Sequence, residues 1–285
     1  MSKSVVWVGL VAILVLAGCG KSEQPNDKAS IKPPLLVLGN ISFTVDENRF
    51  PFLMREGSQR YKHAESVTVS VIDTAQANKP VIWEGQASEF EDSEGPYYVI
   101  YPAISRSGLW NFEFDIQLTN GETYSTNQVV NALSTPIGLT AGQVAIPSDS
   151  LTAAGLDKLY GVITTDSTPN LAYYEMTIAQ AVTSGRPSII VFATPELCTR
   201  SLCNSVLESL DPIYEQFQDR FNFVHVETYN LETGKKVPAI VEWGLEENPW
   251  FYLVDSDGTI VYRCEGIFSA EELTPVIENY LGDGV

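Results

Sequence analysis

The chain has 285 residues, with 36 acidic against 17 basic side chains and a formal net charge of −19. Nucleic-acid binding is excluded, because neutralising phosphates needs a basic face, and so is attachment to anionic lipid through a polybasic patch. Apolar residues make up 44% of the chain and aromatic residues 11%, a composition that folds, over a length that accommodates two ordinary domains.

Lys3 precedes an apolar run from Val5 to Leu16, and Leu16-Ala17-Gly18-Cys19 closes it. The run is too short to span a bilayer and ends in small residues, so 1–18 is expected to be a signal peptide. Leu-Ala-Gly-Cys resembles the lipobox of bacterial lipoproteins. The resemblance implies cleavage before Cys19, diacylation of its thiol and a chain anchored to a bacterial membrane on the extracytoplasmic side. Several acyl chains anchor stably, since each buried methylene contributes roughly 0.8 kcal/mol. In a Gram-negative cell, Gly20 in place of an aspartate implies sorting to the outer membrane, facing the periplasm. Such a compartment is oxidising. Residues 19–34 are polar and are expected to form a flexible tether.

Residues 35–133 read as all-β. Ile41–Val45, Val67–Ile72 and Phe112–Leu118 alternate apolar and polar residues, the period of a strand with one buried face. Turn residues separate them at 46–48, 77–80, 93–96 and 119–121. Short strands at regular spacing predict an immunoglobulin-like β-sandwich, with Trp110 buried between the sheets. Residues 134–165 carry several Pro and Gly and few strong patterns, and are expected to connect two domains across the surface.

Residues 166–285 alternate helix and strand, predicting an α/β domain. Leu171–Ser184 reads as a helix closed by Gly185. The apolar run Pro187–Phe192 is a buried-type strand. A helix follows, with Leu202, Val206, Leu207, Leu210, Ile213, Tyr214 and Phe217 on one face. Phe221–Glu227 is a second strand and Val237–Trp243 a short helix. Trp250–Val254 and Thr259–Arg263 flank the turn Asp255-Ser256-Asp257-Gly258, and Glu271–Leu281 closes the chain.

Chemistry concentrates where the first of these strands meets its helix. There the sequence is Thr194-Pro195-Glu196-Leu197-Cys198-Thr199-Arg200-Ser201-Leu202-Cys203. A thiol near helix N-terminal amides is stabilised as thiolate, its reactive form. Two cysteines five positions apart on a regular helix point roughly 140° apart, and a disulfide needs Cα atoms within about 7 Å. Bridging therefore requires Cys198 to precede the regular helix, or the first turn to unwind. Thr194 and Pro195 could instead cap the helix and place Cys198 one turn inside it. With Cys19 acylated, Cys198, Cys203 and Cys264 remain. Cys264, at the end of an apolar strand, is expected to be buried and inert. His63 and His225 are the two histidines, without zinc-type spacing, and neither a metal nor a cofactor is expected.

The strand–helix order of 166–285 is similar to the thioredoxin-like superfamily, in which the redox cysteine follows the first core strand as Cys198 does. The resemblance implies that Pro249 occupies the position of a cis-proline presenting backbone to an extended substrate. It also matches Trp243-Gly244-Leu245 to the segment before that proline and Gly266 to a glycine after the hairpin. The whole chain resembles bacterial secreted or anchored proteins that pair an immunoglobulin-like with a thioredoxin-like domain and carry Thr-Pro-x-x-Cys-x-x-x-x-Cys. Two features depart from thioredoxins. Four residues separate the cysteines, and Phe192 stands where the buried proton-shuttling acid is expected. Glu227 is the nearest substitute, although its strand-end position suggests a solvated carboxylate.

The function expected is thiol–disulfide exchange with protein thiols or disulfides, Cys198 attacking and Cys203 resolving. The alternatives are a non-catalytic binding protein with a structural disulfide, a thiol peroxidase and a copper-handling protein. A peroxidase would need Arg200 or Arg263 beside the thiolate. Copper handling would use Cys198, Cys203 and His225, since thiolates are soft ligands for Cu(I).

Overall fold

The computed structural model describes residues 31–40, 42–196, 204–246 and 249–283. Cys19, Cys198 and Cys203 lie outside these residues. Among the described residues no helix is long and apolar enough to cross a membrane.

The N-terminal region is built of strands β1 (Leu35–Leu38), β2 (Asp46–Glu47), β3 (Phe50–Glu56), β4 (Gln59–Arg60), β5 (Ala64–Ile72), β6 (Val81–Gln86), β7 (Ser88–Asp92), β8 (Gly95–Ile100), β9 (Ala103–Ile104), β10 (Gly108–Leu118) and β11 (Thr123–Ala132). One sheet has the order β1-β3-β8-β7, with β4 on β3. The second has the order β11-β10-β5-β6, and β2 pairs with β9. Period-two alternation decides which face is buried. In β10, Trp110, Phe112, Phe114, Ile116 and Leu118 point inward, while Glu113 and Asp115 are exposed. They meet Phe50, Phe52 and Met54 of β3 and Tyr98 and Ile100 of β8 in one apolar core. The two sheets thus lie face to face, consistent with a β-sandwich. The Trp110 indole is wholly buried. Its Nε1 donates to the Arg106 carbonyl at 3.1 Å, and the Arg106 guanidinium sits 4.4 Å above the ring.

Local side-chain chemistry overrides one expected strand. Residues 42–45 make no strand beyond a bridge from Thr44 to Leu133. Asn48 Oδ1 accepts the Thr44 N–H at 2.8 Å, and its Nδ2 donates to the carbonyls of Thr44 and Asp46 at 2.7 and 2.8 Å. Asp46 has φ 79°. This Asx-type closure gives the backbone a partner other than a ladder. Ahead of β1, Ile31 packs on the sandwich core and the Lys32 carbonyl accepts from Tyr61 Oη at 2.9 Å.

The C-terminal half adds a 3₁₀ turn (Leu171–Tyr174), α1 (Ile178–Val182), β12 (Ser188–Ala193), α2 (Asn204–Phe217), β13 (Asn222–Glu227), α3 (Pro238–Glu242), β14 (Trp250–Val254), β15 (Ile260–Glu265) and α4 (Ala270–Asp283). The helix expected over 171–184 is broken at Thr177. Its hydroxyl accepts the Gln180 N–H, and the Gln180 side chain accepts the Thr177 N–H, a capping box that starts a new helix. The sheet order is β13-β12-β14-β15, parallel at β12–β13 and antiparallel elsewhere. Every residue of β12 is buried because both faces are covered. Ile189, Val191 and Ala193 face α2 and α4, with Val206, Leu210, Leu273 and Ile277. Ile190 and Phe192 face α1 and α3, with Ala181, Ile240 and Trp243. Segment 134–165 enters these cores too, through Ala145, Leu159 and Ile163.

The two halves meet through polar and apolar contacts. Leu53, Tyr97 and Val99 of the first sheet surround Ile267. Arg49 Nε and Nη2 donate to the two Glu272 carboxylate oxygens at 2.5 and 2.7 Å, and its nitrogens also reach the carbonyls of Glu265 and Ile267. Gly266, with φ +82°, passes so close to Gly39 that an added Cβ would lie 1.9 Å from the Gly39 oxygen. This approach explains the glycine after the hairpin.

Candidate functional site

The carboxyl end of β12 is where the cysteine-bearing segment leaves the sheet. There Phe192 pairs with Trp250 at the start of β14, and Ala193 pairs with Glu227 at the end of β13. Pro249 therefore stands on one side of β12 and Glu227 on the other. Pro249 is buried, and its carbonyl accepts the Gly266 N–H at 2.8 Å. The bond preceding it involves Asn248, outside the described residues.

Hydroxyl groups pin the departing segment. Thr194 Oγ1 bonds Thr228 Oγ1 and accepts the Thr228 N–H at 3.3 Å. This hydroxyl bonds the residue that follows β13; the helix start that Thr194 was weighed to cap lies outside the described residues. The Glu196 N–H donates to Thr165 Oγ1 at 3.2 Å, and Tyr160 Oη lies 3.0 Å from both Glu196 carboxylate oxygens.

Glu227 is not the solvated carboxylate its position suggested. It is 5% exposed. Its Oε2 accepts the Thr165 N–H and Oγ1–H at 2.7 and 3.1 Å. Among the described residues, Oε1 is buried without a hydrogen-bond partner. Burial raises the Glu227 pKa, and hydroxyls and an amide of Thr194, Thr165 and Thr164 pull the other way. Residues 223, 225 and 227 alternate with 224 and 226, so Glu227 shares the sheet face that α2 covers. Segment 164–165, which reads as connection, builds this environment. Nothing in the sequence brings Thr165 to Glu227; segment 164–165, folding over the end of β13, does.

His225 is a core residue. Its Nε2 lies 3.1 Å from the Ala193 carbonyl, which can only accept, so Nε2 carries the proton and Nδ1 accepts from Tyr174 Oη at 2.7 Å. Burial depresses its pKa to about 4, with the Ala193 bond opposing. Both ring nitrogens are occupied, which removes the lone pair copper would need. Among the described residues no group of three or more His, Cys, Asp and Glu is placed to hold a metal. Arg263, weighed as a peroxidase arginine, donates to the carbonyls of Ile137 and Leu139 at 2.5 and 2.9 Å and lies 5.5 Å from the Trp250 ring centre. Cys264 is 3% exposed, and burial pushes its thiol up to about 12.

A family model described as a thioredoxin-like domain matches residues 174–281. The C-terminal half is a thioredoxin-like domain. The layered sheet belongs to that fold. No curated protein matches the chain. Among solved structures, an engineered protein is similar at 11% identity over 35% of this chain and 20% of its own, with a TM-score of 0.25. CopC from Methylosinus trichosporium OB3b is similar at 10% identity over 35% of this chain and 93% of its own, with a TM-score of 0.26. Similarity at that level carries no argument for this chain. The match to the engineered protein spans one fifth of its length. The thioredoxin-like domain and the β-rich region before it stand on the family match and on the sheets themselves.

Proposed function

We propose that the protein is a lipid-anchored, extracytoplasmic thiol–disulfide oxidoreductase acting through Cys198 and Cys203. The supporting observation is the buried Glu227 carboxyl, one of whose oxygens has no partner among the described residues, beside the strand from which the cysteine segment departs. Cys198 thiolate attacks one sulfur of a substrate disulfide and releases the other as thiolate. Glu227 takes the Cys203 proton. The Cys203 thiolate then attacks the Cys198 sulfur, leaving a Cys198–Cys203 disulfide and a fully reduced substrate, with two electrons passed from protein to substrate. Run in reverse, the same steps oxidise a substrate dithiol. A carboxyl raised by burial is a better proton acceptor than a solvated one. Pro249 presents backbone to the substrate, and the N-terminal region is an immunoglobulin-like sandwich that follows the lipidated cysteine and precedes the redox domain in sequence.

Trapping tests the assignment. The Cys203→Ala variant is expected to accumulate a mixed disulfide through Cys198, because no resolving thiol remains. The Cys198→Ala variant should trap far less, and Cys264 should not substitute, its burial holding it as thiol. Equal trapping by both variants would overturn the roles. No trapping, with no reduction of a model disulfide, would leave the structural-bridge alternative.

The anchor rests on Leu16-Ala17-Gly18-Cys19. Cys19→Ala is expected to abolish acylation and processing, read by metabolic labelling with a fatty acid. Continued labelling of the variant would refute anchoring at this site.

A further inference from the structure

We infer that Thr165 is a positioning residue for the exchange proposed above: its amide and hydroxyl hold Glu227 Oε2 as an acceptor and leave Oε1 as the oxygen that takes and returns the proton. The inference rests on the oxidoreductase reading and gives that reaction a residue from outside the matched domain, which begins at residue 174. Two donors converge on one oxygen. The Thr165 N–H donates to Glu227 Oε2 at 2.7 Å, and Thr165 Oγ1 donates to it at 3.1 Å. A backbone N–H can only donate, so a proton on Oε2 would set donor against donor. The carboxyl therefore carries its proton on Oε1, which is buried and has no hydrogen-bond partner among the described residues. As the S–H bond of the resolving thiol breaks, an O–H bond forms at Oε1, and the negative charge passes from the carboxylate to sulfur.

The same hydroxyl reaches the strand end from which the cysteine segment departs. Thr165 Oγ1 accepts the Glu196 N–H at 3.2 Å while it donates to Glu227. A hydroxyl has one proton and two lone pairs, so one group makes both bonds. Its mounting is rigid. Thr165 is 7% exposed, and Leu159 and Ile163 just before it insert into the core shared with α2 and α4. Thr164 Oγ1 accepts the Asp166 N–H at 3.0 Å, and Asp166 Oδ1 accepts the Thr168 N–H at 2.9 Å. A β-branched side chain has a restricted χ1, which keeps the hydroxyl on the carboxyl. Donors fixed in this way need no rearrangement as charge comes and goes. The titratable groups around Glu227 are His225 on the same sheet face, bonded to Tyr174, then Asp166 beside Thr165, and Glu196 held by Tyr160. The cleft that Glu227 borders adds Asp149, Lys235 and Lys236. All of them persist in a Thr165 variant, so a change in the carboxyl reports the lost hydroxyl.

The test titrates Glu227 apart from exchange. In full-length protein carrying Cys198→Ser and Cys203→Ser, the carboxyl is followed against pH by infrared difference spectroscopy and assigned with Glu227→Gln. Adding Thr165→Val removes the hydroxyl and keeps the amide. Losing a hydrogen bond to the charged form favours the protonated carboxyl, so the midpoint is expected to rise by about one pH unit. Thr165→Ser keeps the hydroxyl and should stay near the wild-type midpoint. Thr165→Ala removes it without added bulk, and takes the place of valine if circular dichroism shows that variant unfolded. With the cysteines restored, turnover of a small aromatic disulfide is read against pH. The limb that rises as Glu227 loses its proton should move to higher pH by the same amount in Thr165→Val and return in Thr165→Ser. An unmoved carboxyl midpoint, or a moved midpoint with an unmoved exchange limb, would overturn the inference. Absence of exchange by wild-type protein at every pH overturns the oxidoreductase reading instead, while the carboxyl midpoint still decides whether Thr165 holds Glu227.

Discussion

Replacing Arg49 with Met is expected to cost roughly 3–5 kcal/mol, because it leaves the Glu272 carboxylate buried without its cation. The side chains of the pair are 9% and 3% exposed. Glu272 also accepts from Tyr97 Oη at 2.7 Å and from Tyr101 Oη at 3.4 Å. Two hydroxyls and no cation are a poor exchange for a bidentate guanidinium. The pair joins the β-rich region to α4 of the thioredoxin-like domain, so the loss should fall on the contact between halves. Urea denaturation followed by far-UV circular dichroism measures it. The cycle with Glu272→Leu is informative: each single variant should be strongly destabilised, and the double variant should lose well under the sum, since removing both partners leaves nothing unpaired. A cost under about 1 kcal/mol for Arg49→Met would mean that the pair behaves as a solvated surface bridge.

Acid should destabilise the protein through His225 by about 3 kcal/mol. Burial lowers its pKa to about 4 in the folded chain, against an ordinary value of 6.5, and each unit is worth about 1.4 kcal/mol. A histidine with a depressed pKa contributes stability that is fully present above 6.5 and is lost as pH falls through 4. Glu227 works in the opposite sense. Its raised pKa contributes stability at low pH that is lost as pH rises through the folded value. Wild-type protein and His225→Gln both retain Glu227, so the difference between their pH slopes isolates the imidazole. Wild type should lose stability steeply from pH 6.5 to 4, and the variant should lose about 3 kcal/mol less across that interval. Parallel slopes would show that His225 titrates as if exposed.

The α/β layering was legible because apolar runs such as Ile189-Ile190-Val191-Phe192 satisfy one requirement, burial on both faces, and turn residues bound them. The sheet-facing residues of β5 and β10 were legible for a similar reason, a period of two that one buried face imposes. Helix starts were less so. Thr177 interrupts a pattern that reads as one helix, since a capping box outweighs modest periodicity. At 42–48 the Asn48 side chain replaced a ladder with a turn.

The sequence by itself determined the acidic character, the apolar run ahead of Cys19, strands β5 and β10, the α/β order of the C-terminal half and the junction that carries Cys198 and Cys203. Tertiary structure decided what the neighbouring polar groups became. Glu227 lies at a strand end and reads as solvated, yet it is buried because segment 164–165 folds over it from outside the recognisable domain. His225, mid-strand, reads as packed more readily than as a ligand, and Tyr174 with the Ala193 carbonyl makes it core. Arg49 looks like any surface arginine until α4, more than 200 residues later, brings Glu272 to it. Periodicity reports whether a residue faces a core. A polar group's protonation and partners depend on which distant atoms exclude water from it, and those are fixed only when the chain closes on itself.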